Sequence, residues 1–147
     1  MQKTTITTKE QFKQNRQWYE VDATDVVLGK LAVFCADILR GKNKPNFANN
    51  TDCGDYIIVR NAQKVKLTGK KLTDKKYYTH SQYIGGLRTR TAKEMIAKYP
   101  TELVYEAIKG MVPKTKLGKA ILLKLFIYAD AGKTHEAQKP TKVEVTK

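Results

Sequence analysis

Tyr56-Ile57-Ile58-Val59 decides the fold. Four apolar residues in a row do not alternate, so neither side of this strand is meant for water. A strand covered on both faces belongs to a parallel sheet sandwiched between other layers. Upstream, Trp18-Tyr19-Glu20-Val21-Asp22 is aromatic, β-branched and alternating, which predicts a second strand. Between them, Leu28, Leu31, Cys35, Ile38 and Leu39 recur at helical spacing, and Gly41 follows as a stop. Strand, helix, strand in that order is the parallel crossover unit, and it should be right-handed.

Outward from this unit the chain offers further elements. Thr7-Thr8-Lys9-Glu10 matches a capping box opening a short helix to about Asn15. Val65 to Leu67 and Lys76 to Thr79 read as short strands around a turn at Gly69. Thr91-Ala92-Lys93-Glu94 is a second capping box, with a helix expected to Tyr99 before Pro100. The next helix, Glu102 to Lys109, carries an acid in its first turn and Lys109 in its last, with Gly110 beyond. A helix from Lys116 to Lys124 should lead into a strand at Leu125 to Tyr128. The polar stretch from about Gly132 is expected to be loosely held unless a partner orders it. The 147 residues fit one domain, 1–147, of α/β class: three layers, α/β/α, with a mostly parallel sheet of about four strands.

The motifs of catalysis are missing. The single serine, Ser81, adjoins His80, and adjacent residues do not face each other as a hydrolase triad requires. Gly69-Lys70-Lys71 and Gly118-Lys119-Ala120 lack the upstream glycine and following hydroxyl of a phosphate-binding loop. No GxGxxG follows the first strand. Cys35, Cys53, His80 and His135 form no zinc-ligand spacing, and the cysteine half of a deaminase motif is absent. Asp22, Asp52 and Asp55 stand near strand ends, where α/β ligand sites lie, but Asp22 and Asp55 suit turn and cap hydrogen bonds better. No catalytic residue, metal site, cofactor or small-molecule substrate is therefore expected. Cys35 reads as a buried inert thiol, and two unpaired cysteines suit a reducing compartment. The N-terminus lacks an apolar secretory segment, and the apolar run Ala120 to Leu123 stops at Lys124, far short of a membrane span. A cytosolic location is expected.

What is abundant is positive charge. Lysine and arginine number 28 against 14 acids, a formal net charge of +14. Such a surplus repels itself until an anionic partner neutralises it, and nucleic-acid phosphates are the usual one. The charges come in four clusters. The first holds Lys64, Lys66, Lys70, Lys71, Lys75 and Lys76 against the single acid Asp74, followed by Tyr77, Tyr78 and His80. Lysines neutralise phosphates, and aromatic rings stack on unpaired bases. An edge strand guarded against aggregation needs one or two lysines, not six. The second cluster is Lys109, Lys114, Lys116, Lys119 and Lys124, with no acid between the first and the last. The third is Arg40, Lys42 and Lys44. The fourth is Arg88 and Arg90 after Gly85-Gly86, where the backbone could approach a partner closely. Patches on several sides suit a protein embedded among RNA helices.

The ordered motifs resemble the bacterial large-subunit ribosomal protein L-thirteen family along nearly the whole chain. They include Trp18-Tyr19-x-Val21-Asp22-Ala23, Leu28-Gly29-x-Leu31-Ala32, Arg40-Gly41-Lys42 and Gly54-Asp55-Tyr56-Ile57-Ile58-Val59-x-Asn61-Ala62. Lys64-Val65, Thr68-Gly69-x-Lys71, Tyr77-Tyr78 and Ile84-Gly85-Gly86 follow. Ile108-Lys109-Gly110-Met111, Pro113-Lys114, Leu117-Gly118-Lys119, Leu125, Tyr128-Ala129 and Ala137-Gln138-x-Pro140 complete the order. The resemblance implies a three-layer α/β/α fold and residence in the large ribosomal subunit. It also implies contact with rRNA and neighbouring ribosomal proteins, a role early in subunit assembly, and no catalysis. It makes Gly69, Lys71, Tyr77, Gly85, Gly86, Lys114 and Lys119 the RNA-proximal positions. Two other readings stand beside it: an enzyme acting on nucleic acid or nucleotide, and a free nucleic-acid-binding regulator.

Overall fold

The computed structural model describes residues 9–132 and 135–145, and the apolar run stands inside its sheet. In chain order the elements are α1 (Lys9–Gln14), β1 (Trp18–Asp22), α2 (Leu28–Arg40), β2 (Tyr56–Arg60), α3 (Lys71–Asp74), β3 (Lys76–His80), β4 (Leu87–Thr91), α4 (Ala92–Lys98), α5 (Pro100–Met111), α6 (Lys116–Leu122), β5 (Leu125–Ile127) and β6 (Thr141–Val143). Thr7 and Thr8, the expected cap of α1, lie outside the described residues. The main sheet has the order β5-β2-β1-β6, and every pairing in it is parallel. Ile57, Ile58 and Val59 are fully buried, as a strand with neighbours on both sides and layers on both faces requires.

Register assigns the faces. Tyr19 pairs with Ile57 and Val21 with Val59, so these four point the same way. That face packs α2 and α5 into the main core with Leu31, Leu39, Leu103 and Ile108. The other face carries Trp18, Tyr56 and Phe126. Trp18 stacks on Tyr56 with ring centroids 4.3 Å apart, and His135, arriving from the C-terminal segment, stacks on Trp18 at 5.4 Å. Helix α1 buries Phe12, which does not belong to the main core cluster. The three-layer α/β/α architecture is thus present.

Helix α2 ends as its sequence dictates. Gly41 takes φ 76°, and the Gly41 and Lys42 N–H groups return to the Ile38 and Asp37 carbonyls at 3.0 Å each. A Cβ at residue 41 would stand 2.7 Å from the Cys53 carbonyl oxygen, so glycine is required there twice over. Cys35, inside the same helix, is fully buried, and burial pushes its thiol pKa up to about 12. It stays a neutral apolar side chain.

Several expectations are corrected. Val65 to Leu67 is not a strand. It follows a 3-10 turn (Ala62–Lys64) and touches Val27 through one isolated bridge, because Asn61 at φ 56° turns the chain away from the sheet. Strand β3 therefore pairs not across Gly69 but with β4, in an antiparallel hairpin separate from the main sheet. Helix α4 stops at Lys98. Helix α5 starts at Pro100, whose missing N–H costs nothing in a first turn, and runs through Gly110 to Met111 instead of ending before it. Helix α6 ends at Leu122 because Lys124 turns inward, and β5 ends at Ile127. The polar segment after Gly132 does not stay apart: β6 adds to β1, and Val145 packs against the core.

Candidate nucleic-acid interface

The crevice at the carboxyl ends of the strands, where α/β proteins hold ligands, is narrowed by the chain itself but stays open, lined by Glu20, Asp22, Arg60, Asn61, Ala131 and Lys142. Past β2, the Asn61, Ala62 and Gln63 N–H groups donate to the Asp130, Tyr128 and Ala129 carbonyls. Arg60 pairs with Glu20 at 3.0 Å and donates to the Ala131 carbonyl. Asp22 accepts from the Thr24 backbone and hydroxyl and from Asn61. Burial would raise its pKa, but those hydrogen bonds outweigh it and hold the carboxyl below its ordinary value. Asp22 is a turn cap, not a base. Asp55 accepts from Gln17 N–H at 3.0 Å and pairs with Lys44 at 2.6 Å. Asp52 sits between Arg16 and Lys124. Asp52 and Asp55 precede β2 and so stand at the amino ends of the parallel strands, away from that crevice, and all three carboxylates have structural partners.

The cations divide into those that an acid or, at Arg40, a ring and Asn49 engage, and those displayed without a salt bridge. Lys124, read in the second cluster, is 3% exposed, bonded to Asp52 and to the Leu39 carbonyl; burial lowers its pKa against the raising effect of Asp52. It cannot reach a phosphate. Lys44 is committed to Asp55, Lys42 pairs with Asp37 at 3.1 Å, and Lys109 pairs with Glu106 at 2.7 Å. Arg90 lies over the Tyr99 ring at 4.5 Å and within 3.8 Å of Glu102. Arg40 donates to Asn49 and lies over Phe47. By contrast Lys64, Lys66, Lys70, Lys71, Lys75, Lys76, Arg88, Lys114, Lys116 and Lys119 are exposed and form no salt bridge among the described residues.

The four sequence clusters merge into two surfaces. Lys66, Lys71 and Lys75 line one groove together with Gly29 at the start of α2 and with Tyr77 of β3. The first turn of α2 carries no acid, so its partial positive charge adds to theirs. The β3–β4 hairpin extends this surface, bringing Arg88 opposite Thr79 and Arg90 opposite Tyr77. The other groove sets Arg40 against the turn from Pro113 to Gly118. Lys114, Lys116 and Lys119 stand exposed on or beside that turn. Thr115 caps α6 by accepting from Gly118 N–H at 3.1 Å.

Glycine roles differ from one another. Gly69 and Gly85 take φ of 64° and 72°, and a Cβ on either would meet open space. They serve turns. Gly86 is close to its own hairpin, since a Cβ there would stand 2.1 Å from the Ser81 hydroxyl. Its close approach is internal. Tyr77 turns inward and packs against the core, and burial raises its pKa. Tyr78, its neighbour, is 65% exposed. Tyr83, Ile84 and Leu87 at the hairpin end, also exposed, escaped the sequence reading. The signal was there, as apolar residues flanking Gly85-Gly86 with no helical or strand period to bury them.

Similar proteins place this geometry in a class. A protein of Ureaplasma urealyticum named large ribosomal subunit protein uL13 is 56% identical over 145 residues, covering 99% of this chain and 98% of its own. Proteins of the same name from Malacoplasma penetrans and Lactobacillus johnsonii are 50% identical over 145 residues and 55% over 130. The first covers 99% of both chains, the second 88% of both. The class is that of ribosomal proteins, structural and non-enzymatic. The family described as ribosomal protein L13 matches residues 16–134. The chain belongs to the ribosomal protein L13 family.

Proposed function

We propose that this chain is a structural constituent of the large ribosomal subunit, in the cytoplasm, which binds rRNA through its lysine-rich surfaces and supports early subunit assembly. One observation carries the reading. Lys64, Lys66, Lys70, Lys71, Lys75 and Lys76 are all exposed along the chain from the end of β2 to the start of β3, and none forms a salt bridge among the described residues. Uncompensated cations crowded this closely gain most from phosphates, whose binding releases condensed counterions. Lysine dominates over arginine, so each contact is a point charge and not a bidentate fork. Specificity then comes from the fit of the whole surface to folded RNA. An early role suits a domain whose core forms from its own side chains, since it can bind RNA as a finished shape. Neighbouring ribosomal proteins complete the set of partners.

Sedimentation of a tagged chain through a sucrose gradient at moderate salt tests this. The chain should migrate with large subunits and with whole ribosomes. A free regulator would be stripped off by salt and remain at the top. Migration with small subunits alone would also refute the proposal.

A further inference from the structure

The β3–β4 hairpin has two unlike faces. Opposed residues of an antiparallel pair share a face, and successive residues alternate. Tyr77, Arg90, Thr79 and Arg88 therefore lie on one side, and Tyr77 packs into the body of the protein. Tyr78, Thr89, His80 and Leu87 lie on the other. That outer side is open. Tyr78 is 65% exposed and Leu87 59%. Beyond them the turn displays Tyr83 at 79% and Ile84, which is wholly exposed. So much bare apolar and aromatic surface on one small hairpin marks a contact.

Charge says with what. From Lys75 to Lys93 there is no acid, whereas Lys75, Lys76, Arg88, Arg90 and Lys93 are basic. A protein partner would have to be strongly acidic. RNA supplies both an anionic backbone and flat apolar rings. One ring of the hairpin is also set in place. Gln82 N–H donates to His80 Nδ1 at 3.0 Å, which orients the exposed imidazole and leaves the proton of the neutral ring on Nε2. Tyr78 and His80 are two residues apart along the strand, about 6.7 Å, close enough for neighbouring bases of one strand. Bases stacked within a duplex present only their edges, so such a platform suits unpaired nucleotides.

We infer that the outer face of the β3–β4 hairpin, Tyr78 with His80 and Leu87, is a stacking platform for unpaired bases of rRNA, while the lysines beside it hold phosphates. This rests on the rRNA-binding reading and adds the kind of RNA the hairpin takes.

The test uses the full chain, a short mixed-sequence single-stranded RNA, a duplex of the same sequence, and purified large-subunit rRNA. Tyr78→Ala should weaken single-strand binding roughly fivefold to a hundredfold, the worth of one stacked base. Duplex binding and the salt dependence should stay as they were, because no charge is removed. Tyr78→Phe should keep the affinity, since its ring still stacks. His80→Ala should lose several-fold on the single strand alone. The platform is refuted if Tyr78→Ala binds the single strand like the parent chain, or if it loses single strand and duplex equally. It is refuted in favour of a protein contact if Tyr78→Ala binds every RNA normally yet fails to stay in particles. A parent chain that binds large-subunit rRNA but prefers the duplex oligonucleotide also refutes the platform, leaving the proposed function intact. A parent chain that binds none of the RNAs refutes both.

Discussion

A lysine that meets an acid in this chain has one of two fates, and burial decides between them. Lys124 is buried against Asp52, with Arg16 on the same carboxylate at 2.6 Å. Lys109 is half exposed beside Glu106. Removing one partner of a buried pair leaves a charge without compensation, which costs about 3–5 kcal/mol, whereas exposed pairs are worth about 0–1 kcal/mol. Urea denaturation should therefore show Lys124→Ala destabilised by about 3 kcal/mol, near the low end because Arg16 remains on Asp52, and Lys109→Ala nearly unchanged. Equal stabilities would mean that the Asp52 cluster does not hold α6 and β5 to the rest. This division was not legible in the sequence. Asp52 and Lys124 are 72 positions apart, and nothing local distinguishes Lys124 from Lys119. Cys35 was legible, because its place on the apolar stripe of α2 could only be buried.

At the scale of elements, what could be read were the segments whose own pattern forces their structure. The stripe of α2 with its glycine stop, the unbroken run of β2 and the capping box of α4 all stand where expected. That box is complete: the Thr91 hydroxyl accepts from Glu94 N–H, and Glu94 accepts from Thr91 N–H. What could not be read were elements made by their partners. Strand β4, Leu87-Arg88-Thr89-Arg90-Thr91, has no apolar alternation because neither face of it is a core face. Strand β6 has three residues and exists only because the edge of β1 accepts it. Gly110 misled for a related reason, since a glycine after a lysine reads as a stop although here the helix passes through it. It occupies a helix interior with open space around its missing Cβ. Gly110→Ala should thus stabilise the chain by about 0.5–1 kcal/mol through lower unfolded-state entropy and better helix propensity. Gly118→Ala should do the reverse, because its Cβ would stand 1.8 Å from the Pro113 carbonyl oxygen and displace the start of α6. Thermal unfolding of the two variants checks both signs, and a stabilised Gly118→Ala would show that this turn yields freely.

The whole molecule is an α/β domain in whose strand-end cleft Arg60 pairs with Glu20 and Asp22 caps a turn, while its displayed charge lies on the outside. Composition alone pointed to a polyanion, because a net charge of +14 on 147 residues has few other uses. It could not say that four clusters along the chain are two surfaces in space. That required the fold to bring Arg40 beside the Pro113–Gly118 turn, and to lay Lys66, Lys71 and Lys75 around the start of α2. Nor could it say that Lys44 and Lys124 are occupied by Asp55 and Asp52.

The central claim is that displayed lysines, and not a pocket, make the contact with rRNA. It is tested most directly by the salt dependence of binding to purified large-subunit rRNA, comparing the parent chain with one carrying Lys70→Ala, Lys71→Ala, Lys75→Ala and Lys76→Ala together. Each lost phosphate contact removes about 0.7–0.9 from the slope of log affinity against log salt, so the fourfold variant should show a slope shallower by about three. A slope identical to that of the parent would place this segment outside the interface and contradict the account.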